Sequence, residues 1–114
     1  MSHKGSCHCG KIQFEVEGEL DSVTECNCSH CSRKGYLLWF LPKSNLSMQV
    51  EDGALSTYTF NTHKINHHFC SNCGCAPFGF AEHGGVEMAA INARCLENVD
   101  LGSVKKEFVD GRST

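Results

Sequence analysis

Seven of the nine cysteines in this chain sit at metal-ligand spacing. They form Cys7-x-Cys9, Cys26-x-Cys28-x-x-Cys31 and Cys70-x-x-Cys73. Of the other two, Cys75 follows the third cluster and Cys95 stands alone. Thiolates two or three residues apart can grip one ion from a tight turn, and zinc favours four tetrahedral ligands. Cys70-x-x-Cys73-Gly74 has the form of a zinc knuckle: its amides point at the sulfurs, and a glycine follows where the turn needs it. Cys7-x-Cys9-Gly10 is a shorter version. Each pair supplies two ligands, so the two pairs together make one closed four-thiolate site. The middle cluster supplies three ligands, and three protein ligands with one open position is the pattern of a catalytic zinc. Other divisions stay open at this level. His30, Cys75, Cys95 or a neighbouring histidine could close the middle site, and Cys70 could belong to it.

The compartment decides how such cysteines are read. The first six residues, Met1 to Ser6, lack the apolar core of a secretory signal. No stretch approaches the ~20 apolar residues of a membrane span. The expected location is the cytoplasm, where dense cysteines serve as metal ligands or catalytic groups. In a secreted chain, disulfides would return as the alternative. A net charge of -3 gives no electrostatic case for nucleic acid. At 40% apolar and 20% charged residues, the 114-residue chain reads as one globular domain, residues 1–114. A domain this small often leans on a metal for stability.

Hydrophobic patterning predicts an all-β fold. Ile12, Phe14 and Val16 alternate with polar residues over 11–17, which marks a half-buried strand. Residues 36–41 form a continuous apolar run, read as a strand buried on both faces. Further strands are expected at 46–51, 55–60, 67–70, 77–80 and 86–93, with single helical turns at 29–35 and 98–101. Asp110-Gly111-Arg112 reads as a turn. His67 and His68 could support the metal sites, and alternation places them on opposite faces of their strand. Arg33, Lys34, Lys64 and Arg94 are candidates to meet an anion, against the plainer reading of surface charge.

The order Gly5-Ser6-Cys7-His8-Cys9-Gly10, Cys26-Asn27-Cys28-Ser29-x-Cys31 and Phe69-Cys70-Ser71-x-Cys73-Gly74 resembles the glutathione-dependent formaldehyde-activating enzyme family, which includes centromere protein V. Ile91-Asn92-Ala93-Arg94-Cys95-Leu96 and Phe108-Val109-Asp110-Gly111-Arg112-Ser113 extend the resemblance over about residues 5–113. It implies a β-tent-like fold of stacked antiparallel sheets and two zinc ions per chain. Cys7, Cys9, Cys70 and Cys73 would hold a structural ion; Cys26, Cys28 and Cys31 would hold a catalytic one. It also implies carbon–sulfur lyase chemistry, in which the thiol of glutathione adds to formaldehyde to give S-hydroxymethylglutathione. Two features depart from the pattern: the segment between Cys31 and Cys70 is compact, and Cys75 adds a thiol beside the knuckle. The sequence therefore points to a zinc-dependent carbon–sulfur lyase acting on a thiol adduct, with glutathione as the candidate thiol. A non-enzymatic zinc-stabilised binding module and a thiol or metal sensor are the alternatives.

Overall fold

Ile12, Phe14 and Val16 are buried while Gln13, Glu15 and Glu17 face solvent, as the alternation requires. These residues form β2 (Ile12–Glu17), the middle strand of a three-stranded antiparallel sheet. In this computed structural model, which describes residues 2–60 and 64–110, β2 is flanked by β1 (Ser2–Ser6) and β5 (Leu46–Val50). A second sheet holds seven strands. From one edge to the other they are β10 (Lys105–Val109), β3 (Ser22–Cys26), β4 (Leu38–Pro42), β9 (Val86–Asn92), β8 (Phe78–His83), β7 (Asn66–Cys70) and β6 (Leu55–Tyr58). All its pairs are antiparallel except β10 with β3.

The two sheets bury one core between them. Phe14 from the small sheet meets Phe78 from the large one edge to face, with ring centroids 5.6 Å apart. Trp39, Leu41, Ala89 and Ile91 complete the large sheet's inner layer. Gly5 sits where this packing is tightest: a Cβ there would overlap the Phe14 ring and come within 2.7 Å of the Cys95 carbonyl. The all-β class and the stacked antiparallel sheets follow the sequence-based expectation.

Several boundaries and one burial pattern differ from it. β4 is not buried on both faces. Trp39 and Leu41 point inward, but Phe40 is 52% exposed. Among the described residues one α-helix forms, α1 (Ser29–Lys34); it lies where one turn was expected and ends at Gly35 in the left-handed region (φ 67°). The second expected turn, at 98–101, falls later, as a 3₁₀ turn at Leu101–Ser103. Asp100 caps it by accepting from the Gly102 amide at 3.0 Å. β1, β3 and β10 escape hydrophobic patterning. β1 and β10 are mostly polar or exposed, and β3 buries only Val23. Asp110 follows β10, whereas Gly111 and Arg112 of the expected turn lie outside the described residues.

Candidate functional site

The turn between β1 and β2 and the turn between β7 and β8 come from different sheets, and they meet. Cys7 and Cys9 lie in the first, Cys70 and Cys73 at the second, and their four sulfurs lie within 4.8 Å of one another. Cys9 Sγ stands 3.6 Å from both Cys7 Sγ and Cys70 Sγ. Sulfurs placed tetrahedrally at the ordinary Zn–S distance would be about 3.8 Å apart, so this spacing suits one ion. Amides already aim at the sulfurs. The Ile12 amide donates to Cys7 Sγ at 3.4 Å, and the Cys73 amide donates to Cys70 Sγ at 3.4 Å. Gly10 (φ 83°) and Gly74 (φ 81°) take the left-handed conformations that close the two turns.

The protons of these thiols are held unequally. The Cys75 backbone amide, with further help from neighbouring groups, pulls Cys73 down to about 5. The Asn72 side chain and the Lys11 amide lower Cys9. Burial pushes Cys7 up to about 11. A cluster that ionises readily at its rim and resists at its buried end is a donor set suited to a divalent cation, whose charge removes that resistance.

Cys26 ends β3, Cys28 is the N-cap of α1, and Cys31 lies in that helix, so one connection within one sheet supplies all three. Their sulfurs also lie within 4.8 Å of one another. The Cys28 amide donates to Cys26 Sγ at 3.4 Å, and the Cys31 amide donates to Cys28 Sγ at 3.3 Å. Burial opposes ionisation of Cys28, yet the Cys31 amide and the neighbouring thiols outweigh it and lower the group. Burial, followed by Cys28 and Cys26, raises Cys31 far above the ordinary thiol range. Among the described residues no fourth Cys, His, Asp or Glu joins this group.

The other sulfurs fall elsewhere. Cys95 is partly buried against the core, near the Ala76 carbonyl, and burial pushes it up to about 11. Cys75 is also partly buried against the core, and its carbonyl accepts from the Cys70 amide at 2.8 Å, which braces the knuckle.

A cleft of about 390 Å³ opens over the three-cysteine group. His67 and Tyr36 line it and also line a second groove of about 320 Å³, which holds His30, Lys34, Thr57 and Tyr58. His30 and His67 stand 4.2 Å apart, ring to ring, and Phe60 stacks on His67 at 5.2 Å. His68 goes a different way, packing against Phe80 and accepting from or donating to Thr57 Oγ1 at 2.9 Å. Burial, then the neighbouring histidines and Lys34, hold His67 down at about 4, so its imidazole is neutral at pH 7. Burial and Lys34 lower His30 too, and its buried Nδ1 has no hydrogen-bond partner among the described residues.

Tyr36 is the residue that sequence reasoning missed. It was read as one more apolar strand residue. Burial, then Cys31 and Cys95, push its phenol up to about 12, so it keeps its proton beside the thiol cluster. Its position five residues after Cys31 was the only available signal. Of the candidate anion contacts, Arg33 donates to the Ser29 carbonyl at 2.8 Å and Arg94 to the Gly35 carbonyl at 2.8 Å. Lys34 lines the second groove with its ammonium 5.5 Å from the centre of the Phe69 ring, and Lys64 is exposed. No helix among the described residues is long and apolar enough to cross a membrane.

The sequence profile described as glutathione-dependent formaldehyde-activating enzyme matches residues 2–109. Among solved structures, the chain is similar to the crystal structure of a Rhodobacter sphaeroides protein determined as a structural genomics target. The two are 31% identical with a TM-score of 0.78, over 91% of this chain and 99% of that one.

Proposed function

The chain belongs to the glutathione-dependent formaldehyde-activating enzyme family, and on that premise we propose that it is a zinc-dependent carbon–sulfur lyase of the cytoplasm, built as one β domain over residues 1–114. Its substrate is a thiol adduct, with glutathione as the thiol. One observation carries this reading: three thiols converge under a cleft, and no fourth protein ligand joins them among the described residues. Cys7, Cys9, Cys70 and Cys73 hold a structural zinc, and Cys26, Cys28 and Cys31 hold the catalytic one. When bound there, zinc supplies a positive charge that makes a thiol acidic near neutral pH and orients it toward a carbonyl.

The protein's own residues do the rest. With zinc bound, Cys26, Cys28 and Cys31 as thiolates would leave the site at a net charge of -1, which keeps an adjacent sulfur nucleophilic. Tyr36 retains its proton and can donate a hydrogen bond to the oxygen that gains charge as the carbon–sulfur bond forms. The rings of His30, Tyr58, Phe60 and His67 pack together on this side of the site.

Titrating the cobalt-substituted protein with glutathione tests the reading. A new sulfur-to-metal absorption band is expected at millimolar glutathione. An unchanged spectrum at that concentration would reject a thiol substrate.

A further inference from the structure

The cleft over the three cysteines does not match the polarity of glutathione. Phe40, Phe60, Ile65, Phe80, Met88 and Val109 wall it, and among the described residues no Lys, Arg, Asp or Glu lines it. Asn92 adds little polarity, since its Nδ2 donates to the Ala76 carbonyl at 3.1 Å and its Oδ1 accepts from the Arg94 amide at 3.2 Å. Glutathione carries two carboxylates and an ammonium at neutral pH. Burying them against this wall would strip their hydration without replacing it. The groove on the other side of Tyr36 and His67 offers what the cleft lacks, a cation at Lys34, beside Thr57 and two further imidazoles. Phe40, at 52% exposed, and Ile65, at 47%, are large apolar side chains held in solvent around the cleft. Exposed apolar side chains gathered around one concavity mark a ligand surface.

We propose that the apolar cleft holds the body of the aldehyde, so that the aldehyde is an alkyl or aryl one rather than formaldehyde, while the charged ends of the thiol lie in the Lys34 groove. This rests on the reading of the site as a carbon–sulfur lyase. The step itself is unchanged and balanced. The thiol loses its proton, its sulfur pair forms the bond to the carbonyl carbon, and the carbonyl π pair moves onto oxygen. That oxygen takes up one proton, giving a hemithioacetal; the reverse cleavage restores thiol and aldehyde. No oxidant or reductant is involved.

Formaldehyde has no carbon beyond the reacting one to place against these side chains. Each methylene buried in the cleft adds about fourfold to binding. Hexanal, with four methylenes and a methyl beyond its carbonyl, is expected to exceed formaldehyde by at least about 100-fold in the acceleration of hemithioacetal formation with glutathione over the uncatalysed addition, measured by NMR exchange. Phe40→Ser and Ile65→Ser, both at exposed positions, are each expected to cut the hexanal-to-formaldehyde ratio about tenfold. Binding is read without chemistry by titrating 1-hexanol into the zinc protein and following methyl resonances, with Met88, Ala81 and Ala90 expected to shift. If formaldehyde addition is accelerated as much as hexanal addition, or 1-hexanol moves none of these methyls, while the cobalt–glutathione band is present, this inference is wrong and the lyase reading stands. If the band is absent and neither aldehyde is accelerated, both are wrong.

Discussion

Replacing Cys73 with serine is expected to leave the chain unfolded at 25 °C with no cooperative melting transition, having lost zinc and with its amide resonances collapsed into the narrow range of an unfolded chain. The reason is topological. Cys7 and Cys9 sit between strands of the three-stranded sheet, and Cys70 and Cys73 sit between strands of the seven-stranded one. Their cluster is a staple between the two layers that share the core. Structural zinc in small domains supplies about 10–16 kcal/mol of apparent binding free energy. Net domain stability is only about 5–15 kcal/mol. Removing one of four thiolates also leaves Cys70, 1% exposed, and Cys7, 2% exposed, as buried thiols robbed of the cation that justifies their ionisation. Circular dichroism with metal analysis reads the outcome. A Cys73→Ser protein that keeps both its zinc content and its melting transition would remove the structural role assigned to this cluster.

Replacing Cys28 with serine should do nearly the reverse. All three thiols of that cluster come from the β3–α1 connection, so no contact between the two sheets depends on them. The expected change in melting temperature is below about 5 °C, equivalent to roughly 1 kcal/mol for a domain of this size. The expected loss is about one zinc per chain, together with the glutathione-induced cobalt band. Activity should fall by more than about 100-fold, since loss of even an outer supporting group of a metal site costs 10–100-fold. Paired with Cys73→Ser, this variant separates the two clusters by the property each one governs. Equal unfolding of both variants would erase the distinction.

How far the sequence foresaw this depends on what each segment spends its side chains on. β2 was legible because it faces water on one side and core on the other, so its side chains alternate. β10 was not, because all five of its residues are exposed and it is held by backbone pairing to β3. No side-chain period records that kind of contact. β4 misled for a related reason: Phe40 looks like core by composition, but it faces the cleft rather than the interior. The cysteine groups were legible from spacing within each cluster. Which groups meet could only be weighed, because it depends on two turns from different sheets coming together. The cleft and Tyr36 lay beyond reach for the same reason. They are made by residues from β4, β8, β9 and β10 around the cysteines, and only the folded register assembles them.

The most direct test of two unequal zinc sites is metal content with a free-thiol count on the purified chain. Two zinc ions per chain are expected, with nine free thiols titrating once the metal is chelated under denaturing conditions. A metal-free chain whose cysteines titrate as disulfides would contradict the account at its foundation.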